Sequence, residues 1–225
     1  VSDAAGKSLR ETLRGEALRE MEEGTSELAR IAAHLAGEIV RCHLSTMERI
    51  SVTYDLLPRE SHILAHRFWE KAFRQLKDSG AVSRPESGKN AGCWVMDLSS
   101  APEFAELSEG EKILVRSNGT VTYVGKDIAY QLWKFGLLGS DFHYRPFHTY
   151  PGGHVLWTTA VTGEAEHPPF GGGETIYNVI DVRQSYLQRV VALGLSSLGH
   201  AREAERSVHY AYEMVALTPD TVAAM

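Results

Sequence analysis

Cysteine is scarce in this chain: Cys42 and Cys93 are the only two among 225 residues. They lie far apart in sequence, so they form neither a disulfide framework nor a metal-ligand spacing, and a reduced, cytoplasmic compartment is the expectation. Long hydrophobic runs are also missing. No apolar stretch approaches the roughly 20 residues needed to span a bilayer, which leaves no membrane partner to expect. The opening Val-Ser-Asp-Ala-Ala-Gly-Lys has no signal-peptide core. Positive charge is not in excess: the net charge is −6, so no global field draws RNA or an anionic surface toward the molecule. That weighs against a free-standing RNA-binding module, though little against a piece whose RNA contacts lie elsewhere. Neither an internal repeat nor a low-complexity tract is visible. Hydrophobic content of 43% and charged content of 23% are ordinary for a chain that buries a core.

Several common motifs are absent or only imitated. Gly171-Gly172-Gly173 is not a phosphate loop, since no Gly-Lys-Ser/Thr follows and the glycines precede a strand. His143, His148, His154 and His167 cluster in sequence without i,i+4 spacing and without a cysteine, so they read as loop residues and no structural metal is expected. Ser185 and Ser207 lack the strand-to-helix elbow of a nucleophile.

The elements that are present divide near Gly80. Leu9 to Met21 reads as a charged helix, and a second helix runs from an N-cap at Ser26 to near Ile50. Leu28, Ile31, Ala32, Leu35 and Ile39 form its apolar stripe. A third helix is expected from about Glu60 to Asp78, punctuated by Pro58 and Gly80. Residues 1–80 thus form a helical segment. Residues 81–225 read as α/β, with a loop-rich insertion at about 140–174 holding one strand at Val155 to Thr159. Cys93 to Leu98 is a strand, and Thr175 to Asp181 a buried-type strand. Val182 to Leu198 follows as a helix, and Ser207 to Tyr210 as a last strand. That strand–helix–strand order requires a parallel pair. A start at Val and an end at Ala-Ala-Met read as a piece of a longer protein.

The most informative stretch is Lys112 to Phe135. A β-branched run, Ile113 to Val115, meets Asn118-Gly119, and a second extended run follows from Thr120 to Val124, the strongest short-range hairpin signal. From Asp127 the apolar residues Ile128, Leu132 and Phe135 recur at helical spacing. The expectation is a strand ending near Tyr123 and a helix opening at Asp127, with phenol and carboxylate facing one cleft. That pair suits a planar cation, because a guanidinium offers five donors and wants paired acceptors. From spacing alone the commoner reading is structural, with Asp127 serving a helix start and Tyr123 a strand end. Asp181-Val-Arg-Gln184 is a second candidate, since ligands of open α/β sheets sit outside the carboxyl ends of strands. It reads equally as an N-cap with solvated neighbours. His209, in His-Tyr-Ala-Tyr-Glu-Met-Val, is by residue type more often structural.

Ser-Asn-Gly-Thr-x-Thr-Tyr-x-x-x-Asp-Ile-Ala resembles the arginine-recognition motif of the class I arginyl-tRNA synthetases. The resemblance continues, in order, through Tyr54 to Pro58, Lys89 to Met96, Tyr177 to Gln188 and Val208 to Pro219. It implies the second half of a Rossmann-like nucleotide-binding domain of the HUP type, in a ligase that joins arginine to tRNA(Arg) with ATP and its Mg2+. The resemblance assigns Tyr123, Asp127 and Gln184 to arginine, and His209, Met214 and Val215 to the ATP site. Glu213 stands where the family often has Gly, a departure at the nucleotide. The family's His-Ile-Gly-His and Lys-Met-Ser-Lys-Ser signatures are missing from the sequence. They are expected before residue 1 and after residue 225, in the remaining half of the synthetase chain, so no catalytic residue is expected here and the isolated chain should be inactive. Two other readings stay open: a synthetase-derived arginine or nucleotide sensor without ligase activity, and an interaction module docking through the aromatic segment Phe142 to Phe170.

Overall fold

A computed structural model describes residues 2–99, 101–104, 110–213 and 216–224. The first half of the element order is α1 (Ser2–Glu23), α2 (Glu27–Arg49), β1 (Leu56–Leu57), α3 (Glu60–Ala65), α4 (Phe68–Asp78), β2 (Val82–Ser83), β3 (Trp94–Asp97) and β4 (Glu111–Val115). The second is α5 (Tyr123–Lys134), β5 (His143–Thr149), β6 (Val155–Ala160), β7 (Ile176–Asp181), α6 (Ser185–Ser197), α7 (Ala201–Glu205), β8 (Ser207–Tyr212) and α8 (Pro219–Ala223). The fold is mixed α/β, as the sequence implies. It forms two compact units, one of residues 1–61 and 144–160, the other of residues 62–143 and 161–225.

In the first unit, Ser26 caps α2 as expected, its side chain accepting from the Ala29 amide. The stripe Leu28, Ile31, Leu35 and Ile39 is exposed, however, and Ala29 and Leu44 are the buried residues of this helix. A three-stranded sheet in the order β1-β6-β5 packs beneath α2. Its core is Leu44, Tyr150 and Leu156, joined by Val40, Tyr54, Leu57 and Phe147. β1 runs parallel to β6, and the Thr158 hydroxyl donates to the Leu57 carbonyl at 2.8 Å. The 144–160 stretch is thus a strand pair, not the loop-rich insertion with one strand that its Pro, Gly and His content suggests. Its aromatics are largely buried: Tyr144 and Tyr150 fully, Trp157 nearly so. They fill a core and do not form a docking surface.

In the second unit, the expected helix from Glu60 to Asp78 breaks at Arg67, whose backbone turns left-handed (φ +58°) between α3 and α4. Apolar periodicity alone carries no signal of that turn. Helix α4 buries Phe68, Trp69, Ala72 and Leu76. The sheet β2-β3-β4 is antiparallel throughout. β7 and β8 are parallel, pairing Ile176 with Ser207 through to Asp181 with Tyr212, as the strand–helix–strand reading requires. β7 is not buried on both faces: Asn178 points inward, whereas Tyr177 and Val179 are exposed.

The hairpin expectation holds for its turn and fails for its second arm. Gly119 takes φ +85°, and the Arg116 amide donates to the Thr120 carbonyl at 2.9 Å. After a single bridge between Val115 and Val121 the chain coils into α5, four residues before Asp127. Thr122 causes the switch, its hydroxyl accepting from the Gly125 amide as an N-cap. Val124, Ile128 and Leu132 then bury as one helical stripe. β-propensity favours an extended Thr120 to Val124, but burial of Val124 as the first member of that stripe prevails.

Candidate functional site

Because α5 begins at Tyr123, Tyr123 and Asp127 stand at i and i+4 and project from the same helix face. Tyr123 is 73% exposed, and the Lys126 ammonium lies 5.6 Å from its ring centroid. It borders a cleft of about 570 Å³ with Lys89, Asn90, Glu111, Lys112, Arg116 and Leu187. Asn90 donates to Glu111 at 2.9 Å, and the Lys112 ammonium sits 4.7 Å over the Tyr186 ring. Leu187 belongs to the first turn of α6, so the starts of α5 and α6 open onto one cleft. Deeper along both helices Gly194 meets Ile128, where a Cβ would come within 3.0 Å of the Ile128 side chain.

Asp127 is half-buried and continues along α5 into a polar face made by Gln131 and Lys134. The Gln131 amide donates to the Ser207 hydroxyl at 2.9 Å, and the Lys134 ammonium donates to the Asn178 side-chain carbonyl at 2.9 Å. Both contacts lie near the amino ends of β7 and β8. Asp127, seven residues nearer the helix start, therefore lies about 10 Å further along α5. The Lys134 ammonium also sits 4.6 Å over the Tyr130 ring. Burial lowers its pKa, and the negative charge of Asp127 opposes that shift. This network of Gln131, Lys134, Asn178 and Ser207 was not singled out from the sequence. Its one legible trace is the spacing of Gln131 and Lys134, four and seven residues after Asp127.

Gln184 ends a 3₁₀ turn (Val182–Gln184) at the carboxyl end of β7 and is exposed, three residues before Leu187 of the cleft. Asp181 is committed elsewhere. Its carboxylate caps the turn through the Arg183 amide (2.9 Å) and grips the Arg183 guanidinium with two bonds of 2.8 Å. Those donors hold its pKa at about 2. His209 pairs opposite Asn178, and its Nε2 lies 2.9 Å from the Ile180 carbonyl. A carbonyl only accepts, so Nε2 is the donor in this contact. Met214 and Val215 lie outside the described residues, and Glu213, just before them, is exposed. His148 pairs with Glu48 at 2.8 Å and His154 with Asp55 at 3.0 Å. Among the described residues no three His, Cys, Asp or Glu side chains stand together as a metal site, and no helix is long and apolar enough to cross a membrane.

No protein-family model matches the chain. Individual proteins do match it. An arginine–tRNA ligase of Deinococcus radiodurans is 40% identical over 190 residues, which is 84% of this chain and 30% of the relative. One of Thermus thermophilus is 42% identical over 181 residues, covering 80% and 29%. One of Thermococcus sibiricus is 35% identical over 198 residues, covering 88% and 30%. Among solved structures, the arginyl-tRNA synthetase of Thermus thermophilus superposes with a TM-score of 0.69 at 38% identity, covering 86% of this chain and 33% of that one. The chain therefore spans about 30% of the length of the curated relatives it matches.

Proposed function

From the premise that the chain belongs to the arginine–tRNA ligases, as a segment about 30% of their length, we propose that it supplies arginine recognition and part of the ATP site. The parent enzyme would activate arginine with ATP and transfer it to tRNA(Arg). The observation that carries the reading is the position of Tyr123 in a cleft shared with the first turn of α6, with Asp127 one helical turn further along the same face of α5. A half-buried carboxylate attracts a guanidinium through charge-assisted hydrogen bonds, and a phenol one turn away offers a further acceptor and a flat ring. Gln184, on the turn at the carboxyl end of β7, adds a neutral amide that orders a cationic ligand without repelling it. In this reading β7, α6 and β8 belong to a Rossmann-like sheet, and a ligand sits outside its carboxyl edge.

For the nucleotide, His209 on β8 is the described residue assigned to ATP, and Met214 and Val215 are assigned with it from the family resemblance. Mg2+ would arrive with ATP, held mainly by phosphate oxygens and water. Activation itself is positional: the arginine carboxylate attacks the α-phosphate in line, the bond to the β-phosphate breaks and pyrophosphate leaves, while donors stabilise the charge that develops. Tyr123, Asp127 and Gln184 hold one reactant still and move no proton. The test is steady-state kinetics of the full-length ligase carrying Asp127→Ala. The KM for arginine should rise far more than the KM for ATP, and equal effects on both would make Asp127 a folding residue of α5.

A further inference from the structure

The first unit contains a cationic cleft that the arginine reading does not use. It measures about 350 Å³ and is lined by His34, Glu38 and Arg41 of α2, Arg59 after β1, and Arg145 and Phe147 of β5. The α2 residues recur at i, i+4 and i+7 and so share one face. Arg41 is fixed on three sides. It donates to the Phe147 carbonyl at 3.2 Å, lies 4.6 Å over the Phe147 ring, and pairs with Glu38 at 3.4 Å. Glu38, the one acid among the described residues lining the cleft, is thereby occupied.

Arg59 and Arg145 are different. Among the described residues neither guanidinium is paired with a carboxylate. The two stand close enough for the charge of Arg145 to lower the pKa of Arg59, after the larger effect of burial. The backbone holds Arg59 in place, its amide donating to the Thr159 hydroxyl at 2.9 Å. A half-buried guanidinium beside a like charge carries an electrostatic cost, which an anion bound between the two would offset. Forks arriving from α2, from the link after β1 and from β5 outnumber the two oxygens of a carboxylate. They match a tetrahedral oxyanion, whose several oxygens each take a donor.

We infer that this cleft binds a single phosphate group, held between Arg59 and Arg145 with Arg41 at its rim. The group is either a free phosphate or one phosphate of an RNA backbone. The site is independent of the arginine pocket, which lies in the other unit, and neither depends on the other being right.

The test titrates the 225-residue chain with inorganic phosphate against chloride at constant ionic strength, reading arginine side-chain Nε–H resonances by NMR. The Arg59 and Arg145 signals should shift saturably, and Arg59→Gln or Arg145→Gln should weaken the affinity at least tenfold. Arg59→Lys, which keeps charge and loses the fork, should fall between. Arg84→Gln, in the other unit, should change nothing. In chloride alone Arg59→Gln should melt no lower than the parent, because it removes repulsion; a merely structural Arg59 would make it melt lower. Shifts that chloride reproduces, or affinity that survives both glutamine substitutions, would overturn the inference. A short RNA duplex then assigns the source: displacement of phosphate identifies a backbone phosphate, and no displacement identifies a free one.

Discussion

In the arginine pocket proposed above, a carboxylate at position 127 would distinguish a guanidinium from a urea of the same shape, since only the guanidinium carries charge. In the proposed full-length ligase, Asp127→Asn should therefore narrow the preference for arginine over citrulline. Tyr123→Phe, which deletes one hydroxyl, should weaken arginine by about 1.5–3 kcal/mol and leave the preference largely unchanged. Competition kinetics with the two ligands separates the roles, and an unchanged preference in both variants would place the pocket elsewhere. Tyr130, on the same helix, offers a pH test. Burial pushes its phenol up to about 12, while an unfolded tyrosine ionises near 10.0. Its folded pKa lies above the unfolded one, so its contribution to stability is intact below pH 10 and is lost as pH rises toward 12. Absorbance at 295 nm should show a late-titrating tyrosine in the parent chain that is missing in Tyr130→Phe.

Among the elements, α5 and α6 meet where Gly194 faces Ile128, and the closeness of that contact sets how the two helices flank the cleft. Gly194→Ala would gain about 1 kcal/mol of helix propensity. It would also press a methyl within 3.0–3.3 Å of three Ile128 side-chain carbons. Overpacking costs about 1–3 kcal/mol, so a net loss is expected. Ile128→Val should recover part of it, and a double-mutant cycle in denaturant melts would measure the coupling. The same elements show what the sequence makes legible. Where a signal is local it holds: the Ser26 cap, the turn at Gly119 and the parallel pair implied by a strand, a helix and a strand. Where tertiary packing competes with propensity it does not. Thr120 to Val124 favours extension, yet the burial of Val124 with Ile128 and Leu132 makes it helical from Tyr123. The stripe on α2 has helical spacing and still faces solvent, because spacing identifies a face and not what covers it. Tyr123 and Asp127 were singled out through their motif, and the structure sets them at i and i+4 of one helix instead of at a strand end and a helix start. The polar network of Gln131, Lys134, Asn178 and Ser207 was not, since it joins residues up to 76 positions apart in sequence.

On the scale of the whole molecule, the parallel pair β7–β8 is an unusual surface. Parallel sheets normally have both faces covered, yet Tyr177, Val179, Tyr210 and Tyr212 are all exposed on one face of this one. Contiguous aromatic and aliphatic side chains of this kind mark an interaction face or an aggregation liability. The chain spans about 30% of its relatives' length, so other parts of a ligase are candidates to cover that face. The purified 225-residue chain should accordingly bind the dye ANS and self-associate as its concentration rises. Tyr177→Ser with Tyr210→Ser should reduce both effects without lowering the melting temperature, because neither side chain is packed. The same chain should show no arginine-dependent exchange of pyrophosphate into ATP, since the histidine- and lysine-rich signatures that handle the phosphates in this family are not in its sequence. Supplying in trans the parts of a full-length relative that this chain does not span should quench ANS binding in step with any exchange activity that appears. If exchange is measurable with this chain alone, then phosphate handling resides within these residues and the division of labour proposed for them is wrong.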